Sequence, residues 1–442
     1  MRSSGGPPGG SLLIVADGLA ESPGEPTTLK SAATPALDRL SGRGELVRLD
    51  PQDGAPMEAV TSERGVAALL GLGRAGDALP SRGGLLSLLA DSLPLRAPSP
   101  RPSWFYVATP VCYSSGERAG LLQSYVNDPT WESDLWEALL PRLPAERKFD
   151  LLPVFDRTFS STGSSMGSPR GTSRGSSGGE QGGRILRMVA AFSGPVAGEG
   201  MPASGLPPRT GRLRGEAVAS PDLLDWFARE VTRFDLTRGR RGGPGEPGLW
   251  LWGGGLRPEL PRLPPPGRSL VAQAPLVRAL GRMAGYSDLP LCRATGETDT
   301  DLGEKLAQVV AALLSGARRV VLHVEGFDMA SHRKDPEGKR RFLERFDREV
   351  LEPLSRMLHS GDLGALGLTS DHRSSPLTGN HDAGPVPALL VTGDALKRPE
   401  RSGARMTEAA AESAPVLPMD EWNDRLFSEE AAFAGRQDKK FA

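Results

Sequence analysis

Three apolar runs constrain this chain more than any other feature: Leu12–Ala16 (LLIVA), Val320–Val324 (VVLHV) and Ala388–Thr392 (ALLVT). Each is short, continuous and free of the polar alternation that marks a half-exposed strand. Each therefore reads as a strand covered on both faces, as in a parallel sheet. A weaker fourth run is Ala365–Thr369 (ALGLT). Helical periods lie between them. Glu304–Leu314 is apolar on one side, with Gly316 after it as a C-cap. Gly338–Leu358 places Phe342, Phe346, Val350, Leu351 and Leu354 on one stripe, and Pro353 is expected to kink that helix or end it early. Strands alternating with helices at both ends predict an α/β fold: a mostly parallel central sheet with helices on both faces.

The middle of the chain differs. From about Leu95 to Pro266 it carries Pro-rich joints (PLRAPSPRP, PRLPPPG) and a Ser/Gly/Arg tract, Ser160–Gly183. That tract has almost nothing apolar to bury and is expected to be a disordered loop. Around it, Trp104–Ala108 and Ile185–Phe192 suit strands, while Trp131–Leu143 and Pro221–Arg233 suit helices, with Pro221 at N1 after Ser220. The simplest organisation is one α/β domain, residues 1–100 and 263–442, interrupted by an inserted α+β domain at 101–262 with its loop near 160–183. There is no internal repeat.

Composition narrows the function classes. Lys plus Arg number 53 against 54 Asp plus Glu, which excludes a strongly basic nucleic-acid binder. The two cysteines, Cys112 and Cys292, are far apart, so neither a disulfide framework nor a Cys-based zinc site is expected, as in a reducing compartment. The first apolar run is five residues long before Asp17 ends it, short of the ~7–15 of a signal core or the ~20 of a membrane span. A soluble, cytoplasmic protein without membrane or nucleic-acid partners is the expectation; the oligomeric state is left open.

The chemistry gathers at strand ends. Asp17 follows the first run directly, Asp328 and His332 follow Val320–Val324, and Asp371, His372 and His381 follow Ala365–Thr369. In open α/β sheets ligands collect beyond the carboxyl ends of the strands. Carboxylate and imidazole donors together suit Mn²⁺ or Zn²⁺, with Mg²⁺ or Co²⁺ also possible, and six donors suit two ions better than one. Taken singly, these residues have plain readings. Asp17 before Gly18 suits a turn, His372 and His381 suit a surface loop, and Asp328 with His332 is an ordinary i, i+4 pair. His323, inside a strand, reads as a packed core residue, and His359 as a solvated one.

Longer segments are recognisable. HVEGFDMASHRKDPEGK resembles "HVEAxDEAxHxGDxxxK" of the archaeal-type, 2,3-bisphosphoglycerate-independent phosphoglycerate mutases, a family within the alkaline phosphatase superfamily. TSDHRSSPLTGNHDAGPVPALLV resembles its "DHSTPxxxxxHSxDPVPxLI", with the same nine-residue step from His372 to His381. GLWLWGGGLRPELP, LVRALGRMAGYSDLPLCRATGETDTDLGEK, VADGLAESP with ATPALDRL, VTSERGVAALLGL, PSRGG and MTEAAAES match further family segments in order. They cover about residues 11–90 and 221–413.

The resemblance implies an alkaline-phosphatase-like core with an inserted cap domain and two divalent ions. One ion would be held by Asp328, His332 and His381, the other by Asp17, Ser62, Asp371 and His372. It makes Ser62 the nucleophile, a role that needs a metal or base because a serine hydroxyl is a weak nucleophile near pH 7. It makes Lys305 a catalytic cation on the transferring phosphoryl group, and Arg82, in PSRGG, a substrate contact. The implied reaction takes a small phosphorylated substrate, interconverting 3- and 2-phosphoglycerate through a phosphoserine. The chain also departs from the family. Glu63 and Arg64 follow the serine, Arg373 interrupts "DHSTP", and Asp382 follows the last histidine. The cap motifs "RCN", "DYSAGHIS", "PPHD" and "HPVN" have no clear counterpart, although Arg212, Arg214, Arg238, Arg240 and Arg241 offer cations there. A phosphatase or phosphotransferase of the same superfamily, acting on another phosphoester, is the alternative; a non-catalytic relative is a third.

Overall fold

The computed structural model describes residues 9–24, 26–52, 60–72, 79–89, 104–113, 122–125, 129–144, 149–155, 185–192, 220–237, 246–261 and 266–427. The 160–183 tract and Arg212, Arg214, Arg238, Arg240 and Arg241 lie outside them. The chain divides into two compact units, residues 1–79 with 259–442, and residues 80–258. The insertion thus opens at 80 rather than 101 and closes at 258 rather than 262. The helix Arg82–Ser87 belongs to it because Gly83 lies where a Cβ would come within 2.3 Å of the Phe105 carbonyl oxygen, so the helix packs directly on a strand of the inserted sheet.

The first unit is built on an eight-stranded sheet. Ser11–Ala16 lies inside it, parallel to Arg319–Val324 on one side and to Ala365–Thr369 on the other. All residues of these three strands are buried, as uninterrupted apolar runs require. Arg268–Val271 and Ser287–Asp288 extend the parallel part. On the other side Val386–Thr392 runs antiparallel to Ala365–Thr369, then pairs with Glu45–Leu49, and Val416–Leu417 ends the sheet. Val386–Thr392 is continuous and apolar like its neighbours but not parallel to them. Between Thr369 and Val386 the chain makes only a small hairpin, Arg373–Ser374 against His381–Asp382, and has no helical crossover to return it to the starting edge.

Leu12, Ile14, Ala16, Val320, Leu322 and Val324 face a core shared with Leu37, Val309, Phe327, Phe342 and Phe346 from helices on that side. Trp422 and Leu426, from the helix Met419–Leu426, press on Gly367 from the opposite face. The helix expected to kink or end early at Pro353 does not end there but is irregular just before it and continues to Ser360. A π-turn at Asp347–Leu351 widens the helix just ahead of the proline, in the turn where the ring would otherwise meet the Glu349 carbonyl.

The second unit is an antiparallel sheet of Leu122–Tyr125, Trp104–Tyr113, Ile185–Phe192, Phe149–Phe155 and Glu246–Gly255. Helices Pro129–Leu139 and Pro221–Thr237 supply Trp136, Trp226 and Phe227 to its core beside Tyr106 and Phe149. The observed fold is the expected one, a mostly parallel α/β core with an α+β insertion. Among the described residues no helix is long and apolar enough to cross a membrane.

Candidate metal centre

Strand register brings the predicted residues together. Val15 pairs with both His323 and Thr369, so Asp17, the Glu325–Asp328 turn and Asp371–His372 leave the sheet side by side. The backbone turns at once at Gly18, whose φ is +65°. A Cβ there would lie 2.7 Å from Asp328 Oδ1, so the glycine lets the first strand end against that carboxylate, and its N–H donates to Asp371 Oδ1 at 3.2 Å. Ser62 begins the helix Ser62–Leu69, with Thr61 as the N-cap accepting from the Arg64 N–H. Gly65 faces the Asp371 backbone, where a Cβ would come within 2.2 Å of its carbonyl oxygen. Gln52 holds the same junction, donating to the carbonyls of Asp371 and Thr61 at 2.9 Å each.

The histidines present a common face. His332 Nδ1 lies 2.9 Å from the Gly379 carbonyl oxygen, His372 Nδ1 3.1 Å from that of Arg373, and His381 Nδ1 3.5 Å from that of Val60. With Nδ1 directed at a backbone carbonyl, each Nε2 faces inward, where it can give a lone pair to a cation or, when it carries a proton, an N–H to a carboxylate. His332 Nε2 is 3.0 Å from Asp328 Oδ2 and 3.3 Å from His381 Nε2, which is 3.4 Å from Asp328 Oδ1. His372 Nε2 is 3.3 Å from Asp17 Oδ1, 3.5 Å from Asp371 Oδ2 and 3.1 Å from Ser62 Oγ. Donor atoms of Asp328, His372 and His381 lie within 4.8 Å of one another, and so do those of Asp17, Asp371 and His372. His372 therefore stands between two adjoining groups.

The electrostatics call for cations. Asp17 Oδ1 and Asp371 Oδ2 are buried and have no hydrogen-bond partner among the described residues, with His372 Nε2 3.3 and 3.5 Å away. Burial, then the charges of Asp371 and Asp328, push the Asp17 carboxyl well above its ordinary range, and burial also raises Asp371. Burial opposes the charge on Asp328 too, but hydrogen bonds from His332 and His381 hold it well below the usual carboxylate range. Buried carboxylate oxygens without donors, beside inward-facing imidazole nitrogens, are what divalent ions satisfy. The residues present thus fit the divalent metals that the resemblance implies. The pocket is closed around Asp371 and His372, both 0% exposed, and opens at His332, whose side chain is 44% exposed.

Lys305 is buried and donates to the His323 carbonyl oxygen at 3.5 Å. Burial lowers its ammonium to about 8, against the supporting charges of Glu325 and Glu304. Arg82 lies in the inserted unit with its guanidinium 5.0 Å over the Trp252 ring, not within the core unit that carries the cluster. Arg373 turns away from the metal donors: its Nε donates to the Pro385 carbonyl oxygen at 2.8 Å, fastening the segment after His381. His323 is the packed core residue that was expected, yet its Nε2 is 3.5 Å from Asp17 Oδ2, a contact the sequence did not show, and neither ring nitrogen has a hydrogen-bond partner among the described residues. The only signal was its place one residue before the strand ends, opposite Val15.

Residues 293–416 match the Metalloenzyme superfamily, and that stretch contains Lys305, Asp328, His332, Asp371, His372 and His381. The similarity to this superfamily thus covers the stretch that carries most of the candidate metal donors. More narrowly, the chain is similar to 2,3-bisphosphoglycerate-independent phosphoglycerate mutases of archaea. It is 36% identical over 132 residues to that of Methanopyrus kandleri, covering 30% of this chain and 31% of the relative. It is 34% identical over 147 residues to that of Methanothrix thermoacetophila, covering 32% and 37%. The chain thus matches about a third of the length of these curated relatives. A Pyrococcus horikoshii protein of known structure shares the fold at a TM-score of 0.62 and 19% identity, covering 96% of this chain and 98% of that one.

Proposed function

We propose that the protein is a metal-dependent phosphotransferase that interconverts 3- and 2-phosphoglycerate without bisphosphoglycerate, through a phosphoserine on Ser62. The observation that carries this reading is the Ser62 hydroxyl 3.1 Å from His372 Nε2, beside two unsatisfied buried carboxylate oxygens. The similarity to the archaeal mutases supports it.

In this reading Asp328, His332 and His381 hold one divalent ion, and Asp17, Asp371, His372 and Ser62 hold the other. Mn²⁺ or Zn²⁺ is preferred by the mixed carboxylate and imidazole donors. When bound, the ions lower the hydroxyl pKa and neutralise charge on the transferring group. The remaining work falls to the chain. The Asp371 carbonyl and Gly65 seat the Ser62 helix, so its hydroxyl is fixed before substrate arrives. The positive end of that helix favours the negative charge that Ser62 acquires. Ser62 Oγ attacks phosphorus, the bond to the substrate oxygen breaks, and glycerate is left beside the phosphoserine. Glycerate turns, its other hydroxyl attacks, and Ser62 is released. The ammonium of Lys305, 3.5 Å from the His323 carbonyl oxygen, supplies a positive charge near the end of the strand Arg319–Val324.

The test is a coupled enolase assay with Mn²⁺ and no bisphosphoglycerate. Interconversion of the two phosphoglycerates supports the mutase. Release of phosphate without isomerisation replaces it with a phosphatase that uses the same serine.

A further inference from the structure

Behind the metal centre the chain buries a second set of charges. Lys339 is 0% exposed, on the helix Pro336–Phe346. Its Nζ pairs with Glu21 Oε1 at 3.1 Å and donates to the Ser374 carbonyl oxygen at 2.9 Å. Glu21 is held in turn: its Oε1 accepts from the Thr28 N–H at 3.2 Å, and its own N–H donates to Glu408 Oε1 at 3.1 Å. A fully buried ion pair contributes little stability over apolar side chains of the same size. Its position is therefore the more informative fact.

The Ser374 carbonyl also accepts from Ser331 Oγ at 3.3 Å, and the residue reaches a metal donor directly. Its hydroxyl donates to Asp328 Oδ1 at 2.5 Å, and its N–H donates to the Ala20 carbonyl oxygen at 2.8 Å. In the small hairpin Ser374 stands directly opposite His381. Fixing Ser374 thus fixes Asp328 through a side chain and His381 through the backbone ladder. Neither bond reaches Asp17 or Asp371.

We propose that Lys339 is a positioning residue. Through the Ser374 carbonyl it sets the register of the hairpin, so that Asp328 and His381 share one ion with His332. The inference rests on the two-metal reading above and assigns the Lys339–Ser374 pair to one ion only. Partners of ligating groups typically change metal affinity about 10–100-fold when removed.

Mn²⁺ binding is followed by electron paramagnetic resonance on the full chain, in the wild type, Ser374→Ala and Lys339→Met, with circular dichroism of each metal-free form. Wild-type protein is expected to bind two Mn²⁺. Ser374→Ala, which leaves the buried charges in place, is expected to weaken one of them about 10–100-fold and leave the other unchanged. Lys339→Met is expected to weaken the same ion; should it fail to fold, the double variant Lys339→Met/Glu21→Gln, which leaves no unpaired charge, replaces it. Two ions bound as in the wild type by Ser374→Ala, or equal weakening of both, overturns the inference, because a merely structural role would not select one site. A wild type that binds no Mn²⁺, Zn²⁺ or Co²⁺ would instead overturn the metal reading itself.

Discussion

The Ser62 hydroxyl stands 3.1 Å from His372 Nε2, at the first turn of a helix whose entry is capped by Thr61. Two segments more than three hundred residues apart in sequence meet there. Ser62→Ala removes the only atom that could carry the phosphoryl group in the proposed mechanism. Loss of a nucleophile costs on the order of 10³–10⁶-fold in kcat. Steady-state rates and mass spectrometry of protein quenched with substrate check this: the variant is expected to lose both isomerisation and the phosphorylated species. Full activity in Ser62→Ala would remove the serine from the mechanism.

That meeting depends on Gly65. A methyl there would lie 2.2 Å from the Asp371 carbonyl oxygen, and backbone cannot yield as a flexible side chain can. Alanine is favoured over glycine within a helix by about 1 kcal/mol, while a forced core clash costs about 1–3 kcal/mol. The clash is expected to prevail. Gly65→Ala should lower the melting temperature modestly and kcat more severely, since moving the helix lengthens the Ser62–His372 contact. A stabilised variant with normal kcat would show that the helix is free to shift.

Much of this site is visible in the sequence, because strand ends are. The run Leu12–Ala16 ends at Asp17, and Val320–Val324 is followed within a turn by Asp328 and His332. Parallel registry then does the rest. What could not be read depends on long-range pairing. His323 has an ordinary core spacing, and only its partnership with Val15 sets it against Asp17. Arg373 stands next to His372 in sequence, and only the hairpin shows that its guanidinium goes to the Pro385 carbonyl. The insertion begins at 80 because two glycines let a short helix lie on the inserted sheet, a packing fact with no local periodicity.

Lys305 should give the enzyme an alkaline limit. Burial brings its ammonium from 10.5 to about 8. As pH rises through 8 the folded protein loses this charge, so kcat/KM is expected to fall there, and Lys305→Arg should carry the charge past pH 10. Stability runs the other way. Between about pH 8 and 10.5 the unfolded chain holds a proton that the folded chain has released, so folding becomes more favourable as pH rises across that window. The contribution is on the order of 3 kcal/mol, absent in Lys305→Met. Denaturant melts at pH 7 and 10 measure it; a Lys305→Met variant with the same pH slope as the wild type would contradict it.

Metal removal should destabilise the core unit most at neutral pH. Asp17 is raised well above its ordinary range by burial and by the charges of Asp371 and Asp328. A carboxyl whose folded pKa is raised contributes stability at acid pH and loses it as pH climbs through that folded value. The chelated protein is thus expected to melt lower as pH rises from 5 to 7. Mn²⁺ should reverse the loss, by about 2.7 kcal/mol at a hundredfold excess over Kd. Asp17→Asn removes one of the repelling charges along with one of the metal donors. It should raise the melting temperature of the chelated form, shrink the Mn²⁺-induced shift and abolish activity. Thermal scans with chelator and with Mn²⁺ decide it, since a purely structural aspartate would leave the Mn²⁺ shift intact.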